Sequence, residues 1–193
     1  IKSWGKKLGF QGVRITHPSS SKAFKHLEEW LKKEHHGEMR YMQRNLDIRK
    51  DPSKLIGTSA RVICVRLDYL PSLTQSKATL TSPDKGYVSQ YALGRDYHKV
   101  IRKKLKRLGQ QIEQATPHQF RAFTDSAPIL ERALAEQAGL GWIGKNTLLL
   151  NRKAGSFFFL GEIITNLPLP IDEPTTKNHC GSCQACIDIC PTK

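Results

Sequence analysis

Cys180, Cys183, Cys186 and Cys190 follow the spacing C-x2-C-x2-C-x3-C, and Pro191 comes directly after the last. Thiolates are soft ligands, and four in so short a run suit zinc or iron–sulfur chemistry better than a disulfide scaffold. Structural zinc usually takes its ligands as two separated pairs. This run instead has the bacterial ferredoxin spacing, in which three cysteines hold one 4Fe–4S cluster and the fourth reaches a second. Iron–sulfur is the favoured reading and zinc the alternative. Two such clusters need about eight thiolates, whereas the chain has five cysteines and Cys64 lies in a distant apolar run. Cys64 is expected to be a small core residue. The missing ligands are expected on a segment beyond Lys193.

Two further features could bear chemistry. Asp125 stands shortly before an apolar-periodic stretch that begins after Pro128. Such an aspartate ordinarily caps a helix or complements its dipole, and on residue type alone that role is favoured over proton donation. Gly139-Leu-Gly141-Trp-Ile-Gly144 satisfies G-x-G-x-x-G. A dinucleotide fingerprint needs a strand before the glycines and a helix after them. Here the order is reversed, so the glycines read as a helix stop and a tight turn, with room for backbone to approach a bulky cofactor.

The elements that must position these residues mix helix and strand. Ser19-Ser20-Ser21 can cap a helix from about Lys22 to Lys33, with Ala23, Leu27, Trp30 and Leu31 on one face. Val62–Val65 reads as a buried strand, and 69–86 as a surface loop. Tyr97–Leu108 reads as a helix with Ile101, Leu105 and Leu108 forming its apolar stripe. A helix carrying Leu130, Leu134 and Ala138 ends at Gly139. Thr147–Leu150 and Ser156–Thr165 read as strands of one hairpin, turning through 151–155. Pro168, Pro170 and Pro174 mark a linker to the cysteine run.

Charge adds a partner class. Lys plus Arg total 31 against 17 for Asp plus Glu, a formal net charge of +14. Such an excess attracts polyanions, nucleic acid first among them, in a salt-dependent way. Lys99, Arg102, Lys103, Lys104, Lys106 and Arg107 concentrate it on one helix, suited to phosphates or to plain solvation. No apolar run approaches the ~20 residues of a membrane span, and no secretion signal opens the chain. A cytoplasmic monomer without membrane contact is expected.

Several stretches together resemble the cobalamin-dependent epoxyqueuosine reductases of tRNA modification. They are Tyr91-Ala-Leu-Gly-Arg-Asp-Tyr-His98, Asp125-Ser-Ala-Pro-Ile-Leu-Glu131 and Ala138-Gly-Leu-Gly-Trp-Ile-Gly-Lys-Asn146. Gly155-Ser-Phe-Phe-Phe-Leu-Gly-Glu162 and the cysteine run ending Cys190-Pro-Thr complete the set. The likeness covers essentially the whole chain and lacks the family's second cysteine set and helical-repeat region.

The resemblance implies a mixed α/β fold. Residues 1–173 would form a cobalamin-binding catalytic domain similar to that of reductive dehalogenases. Residues 174–193 would begin a ferredoxin-like module for two 4Fe–4S clusters. It implies reduction of epoxyqueuosine to queuosine at the tRNA wobble position, with electrons from an external flavodoxin- or ferredoxin-type donor. Asp125 becomes the proton donor and a cobalamin neighbour. Arg49, Ser89, Leu149 and Asn151 become cobalamin contacts, with Arg95, Tyr97 and His98 nearby. The alternatives are a cobalamin reductase of a small molecule, such as a halogenated compound, a ferredoxin-like electron carrier, or a zinc-bearing nucleic-acid module.

Overall fold

Alternation along the apolar strands sets the architecture. In β2 (Arg61–Asp68), Val62 and Cys64 point to one face and Ile63 and Val65 to the other, all essentially without solvent exposure. A strand buried on both faces must lie inside a sheet covered on both sides. The computed structural model, which describes residues 1–19, 21–57, 60–70, 78–174 and 177–192, has that arrangement. β1 (Gly12–Thr16), β2, β6 (Phe158–Thr165) and β3 (Phe120–Phe123) form a four-stranded sheet in the spatial order β1-β2-β6-β3. Every neighbouring pair is antiparallel. The fold is mixed α/β, with helices on both sides of an antiparallel sheet.

One face is covered by α4 (Tyr97–Ala115) and α1 (Lys2–Lys7). Ile101, Leu105, Leu108 and Ile112 recur at helical spacing and pack on Val13, Ile15, Ile63, Val65 and Ile163. Burying each such side chain stabilises the fold by roughly 1.5–3 kcal/mol. The helix runs seven residues past the expected end at Leu108, because Ile112 continues the stripe. Gly109 interrupts it where the Phe120 ring presses on the helix backbone and leaves no room for a Cβ.

The other face carries α5 (Glu131–Gln137), whose Leu134 and Ala135 pack with Ala138 against Val62, Cys64 and Ile164. Gly139, at φ 82°, ends this helix in the left-handed conformation that glycine adopts without strain. α2 (Ser21–Lys32) and α3 (Leu46–Lys50) pack together beside this face. The expected cap at Ser19–Ser21 and the loop over 69–86 fall partly outside the described residues. Cys64 is a buried core residue, as its sequence context suggested.

Two expectations are corrected. Leu149–Leu150, here β5, does not form a hairpin with β6; it pairs with β4 (Trp142–Ile143), while β6 pairs with β2 and β3. Residues 151–155 instead make a closed loop, with Asn151 and Gly155 exchanging backbone hydrogen bonds of 2.8 and 2.9 Å. The proline-rich stretch is also not a free linker. Leu167 and Leu169 pack on the core, and Asp172 holds the open edge of β1. Its Oδ2 accepts from Ile15 N at 2.9 Å, its own N–H donates to Ile15 O at 2.9 Å, and Lys2 binds the same carboxylate.

Candidate active site

Asp125 sits on the turn between β3 and α5, at φ 57°. The left-handed region suits Asp better than most residues, and here it swings the carboxylate out to solvent. The turn is fixed from both sides. Thr124 is fully buried and its hydroxyl donates to Leu160 O at 2.9 Å, while Asp125 N donates to Glu131 Oε1 at 2.7 Å. Asp125 therefore caps no helix; Glu131, on the first turn of α5, holds Asp125.

The start of α4 supplies the other neighbours. Asp96 caps that helix, accepting from His98 N at 3.0 Å, and its carboxylate also lies 3.0 Å from His98 Nδ1. His98 Nε2 is then 3.4 Å from Asp125 Oδ2, and the Tyr97 hydroxyl donates to the same oxygen. Burial, and then the Asp125 carboxylate, raise the Tyr97 pKa, so it stays a phenol and a donor. Tyr97 stacks between Phe159, at 4.1 Å between ring centroids, and His98, at 4.0 Å. This packing explains why the pair Tyr97-His98 is held so firmly beside Asp125.

Behind Asp125 lies a second carboxyl pair. Glu162 is on β6, register partner to Cys64 and Phe123, and fully buried among apolar residues. Among the described residues no hydrogen-bond donor reaches either of its oxygens. Glu131 is its neighbour, and two adjacent carboxyls disfavour being ionised together. Burial first, then the proximity of Glu131, pushes the Glu162 pKa well above the carboxylate range. Burial likewise pushes Glu131 up to about 7, with the Asp125 charge adding to the rise. Sequence reading assigned neither residue a role. The available signal was Glu162 itself, a carboxylate in the middle of the otherwise apolar run Phe157–Ile164.

Glu131 also opens onto a groove of about 580 Å³. Its walls include Leu27, Trp30, Met42 and Ile129, and its polar groups include Arg49 and Thr147. Arg49 is mostly buried and donates through Nε to Arg44 O at 3.4 Å; burial lowers its pKa.

The remaining expected contacts are dispersed. Ser89 is exposed at the head of the single turn Gln90–Ala92, whose Tyr91 lies edge-on to Tyr97. The Leu149 side chain is buried in the core. Asn151 is committed to structure: its Nδ2 donates to Leu140 O at 2.8 Å and its Oδ1 accepts from Lys153 N and Ala154 N. Arg95 is exposed on the approach to α4. The glycines do not leave space for a cofactor either. At Gly141 a Cβ would strike Leu150 O, and at Gly144 it would meet Leu150 Cδ1 at 2.6 Å, so β5 itself makes the close approach.

The glycine turn does reach the cysteine run. Lys145 Nζ donates to Gly181 O and Cys183 O, both at 2.9 Å. The Trp142 ring lies edge-on to His179. Its Nε1–H makes no hydrogen bond of full geometry, yet together with the Lys145 backbone N–H it holds the Cys180 thiol below its ordinary pKa. Cys180, Cys186 and Cys190 are partly exposed and Cys183 is exposed. Among the described residues no three His, Cys, Asp or Glu side chains converge as a metal site.

On α4, Lys99, Arg102, Lys103, Lys106 and Arg107 line one shallow solvent-facing groove. Lys104 is used differently, donating to Leu8 O at 2.5 Å over the Phe10 ring.

The chain is similar in sequence and fold to several known proteins. A family model described as epoxyqueuosine reductase QueG, DUF1730, matches residues 49–126. The epoxyqueuosine reductase of Pseudomonas aeruginosa is 55% identical over 193 residues, all of this chain and 54% of that protein. The chain spans about half the length of the curated relatives it matches. The structure of epoxyqueuosine reductase from Streptococcus thermophilus aligns with a TM-score of 0.85 at 29% identity, over 98% of this chain and 51% of that one. A Bacillus subtilis epoxyqueuosine reductase, solved with its catalytic aspartate loop swung out of the active site, aligns at 0.82 and 26% identity over 98% of this chain and 50% of that one. On sequence and fold together, this chain is similar over its whole length to about half of an epoxyqueuosine reductase.

Proposed function

We propose that this chain is the catalytic portion of an enzyme that reduces epoxyqueuosine to queuosine in tRNA, with Asp125 as proton donor. One observation carries the reading: Glu131 both fixes the Asp125 backbone and lines the adjoining groove, so proton donor and binding space share a wall. The names of the relatives supply the reaction. A loop carrying an aspartate is called catalytic in the Bacillus subtilis relative, and Asp125 is an exposed loop aspartate here, next to the groove through Glu131.

The residues present fit a corrin. A large ring with an amide rim needs apolar walls and a few placed polar groups, and the groove offers Leu27, Trp30, Met42 and Ile129 with Arg49 and Thr147. Cobalamin, when bound, would supply the reducing chemistry at carbon. In this reading Arg49 lies on the cobalamin side. Ser89 approaches through the segment that carries Tyr91, and the backbone of Leu149 and Asn151 borders the ring. Residues 1–173 form the cobalamin domain, and 174–193 begin a ferredoxin-like module in which Cys180, Cys183 and Cys186 serve one 4Fe–4S cluster and Cys190 another. Lys145 and Trp142 hold that module against the catalytic domain. Clusters held by these cysteines would relay electrons from an external one-electron donor, and the basic face of α4 would meet tRNA phosphates.

The chain's own share of the reaction is proton supply and orientation. Opening the epoxide builds negative charge on oxygen, which a positioned acid relieves. Tyr97 and His98 aim the Asp125 carboxyl, and Glu131 fixes its backbone. Asp125→Asn tests this. Asn also tolerates the left-handed conformation and keeps the N–H bond to Glu131, so folding and cobalamin binding persist. Turnover should fall by about 10²–10⁴. Near-normal turnover would remove Asp125 from the role.

A further inference from the structure

The reaction leaves unused an exposed apolar surface on the segment that leads into α4. Tyr87, Val88, Tyr91 and Leu93 are between 44% and 61% exposed. Apolar side chains gathered in this way mark an interaction surface, whereas scattered ones do not. Resting on the proposed function, we infer that Tyr91 is a stacking platform for an unpaired base of the RNA, beside the nucleotide presented to Asp125, while the cations of α4 track the phosphates. The RNA is therefore held as a loop. In a duplex the faces of the bases are already covered by their neighbours, and only an unpaired base offers one to an aromatic ring.

The rings behind Tyr91 place it for this role. It meets Tyr97 edge-on, with 6.3 Å between centroids. Tyr97 stacks on Phe159 at 4.1 Å, and Phe159 packs on Tyr69 at 4.5 Å, so Tyr91 is the outermost ring of a fixed array. Ala92 N donates to Ser89 O at 2.9 Å, which closes the turn that carries Tyr91. The Tyr97 hydroxyl donates to Asp125. A base on Tyr91 is thus one ring away from the proton donor.

Charge divides base from backbone along the same path. Near Tyr91 the carboxylates of Asp96 and Asp125 are 46% and 48% exposed. Lys99 is drawn to Asp96 at 3.9 Å, and Arg95 is exposed there too. A phosphate gains little from this mixture, while the neutral face of a base pays no such penalty. Further along the helix, Arg102, Lys103, Lys106 and Arg107 line a single groove that includes no acidic side chain. From Lys99 to Arg107 the helix rises about 12 Å, room for successive phosphates of one strand. A duplex would satisfy that groove equally well, but would leave Tyr91 and its apolar neighbours facing water.

The test titrates the intact enzyme, loaded with cobalamin and clusters, against a labelled tRNA anticodon stem-loop and follows fluorescence anisotropy. Tyr91→Leu keeps an apolar side chain and loses the ring, whereas Tyr91→Phe keeps both. The platform predicts that Tyr91→Leu weakens binding roughly 5- to 150-fold and that Tyr91→Phe binds like wild type. Neither should change the slope of log affinity against log salt, while Lys103→Gln and Arg107→Gln should each reduce it by about 0.7. Stem-loops made abasic on the 5′ or the 3′ side of the wobble position locate the stacked base. One of them should bind wild type and Tyr91→Leu alike. Equal affinity of wild type and Tyr91→Leu for the intact loop overturns the platform, and a changed oligomeric state in that case gives the segment to a second copy. A Tyr91→Leu loss that both abasic loops retain in full overturns it too, as does a wild type that does not bind the loop. Binding is read without turnover. A wild type that binds through Tyr91 yet leaves epoxyqueuosine unreduced counts against the proposed function and leaves the platform standing.

Discussion

At the scale of single residues, the site is a set of carboxyls whose environments differ. Asp125 is exposed on a left-handed turn, Glu131 is half-buried at a helix start, and Glu162 lies wholly inside the sheet. The buried pair has a thermodynamic consequence. An acid whose pKa is raised by folding holds its proton in the native state while the unfolded chain has lost it. Its native state is therefore most favoured below the ordinary glutamate value of 4.5, and loses ground as pH rises above it, through about 7 for Glu131 and with Glu162 raised in the same direction. Glu162→Gln removes the most deeply buried of these titrations. Denaturant unfolding at several pH values should show the variant gaining on wild type as pH rises above 4.5, by up to about 1.4 kcal/mol per pH unit. A constant difference between the two proteins across that range would show that Glu162 does not titrate as the buried acid described.

At the scale of elements, period and packing explain what the sequence made legible. The stripe Ile101, Leu105, Leu108 announced α4, and the β-branched run Val62–Val65 announced β2. The end of α4 was hidden because Gly109 looks like a stop. The helix passes through it because Phe120, eleven residues on, needs the missing Cβ's space. The same balance gives a test. In an open helix Gly→Ala gains about 0.5–1 kcal/mol, but overpacking a filled core costs about 1–3 kcal/mol. Gly109→Ala should therefore lower the unfolding free energy, and a stabilised variant would mean that Phe120 does not sit on the helix. The β4–β5 pairing was illegible for a related reason. Leu149–Leu150 has strand character, but the small residues Gly141 and Gly144 decide its partner by letting β4 approach. Asp125 stands out through its motif, whereas residue type alone favoured a helix cap. Glu131, six residues later, takes the position that reverses donor and acceptor. Glu162 was passed over because a lone carboxylate acquires meaning only when the fold places it next to another.

At the scale of the whole molecule, chemistry and charge are laid out around one sheet. The carboxyl chain runs from the sheet interior to the Asp125 turn, the groove adjoins it through Glu131, and the cysteine run is tied on through Lys145. The basic face of α4 starts beside Asp125, since Tyr97 and His98 open the helix whose later turns carry Lys103, Lys106 and Arg107. A polyanion lying along that face would pass Asp125 at one end. No helix among the described residues is long and apolar enough to cross a membrane. The account stands or falls on the reaction. The direct measurement incubates epoxyqueuosine-containing tRNA with the intact, cobalamin- and cluster-loaded enzyme under a low-potential reductant, and follows the modified nucleoside by mass. The account predicts loss of one oxygen to give queuosine, dependent on both reductant and cobalamin. Unchanged epoxyqueuosine in the presence of both would contradict it.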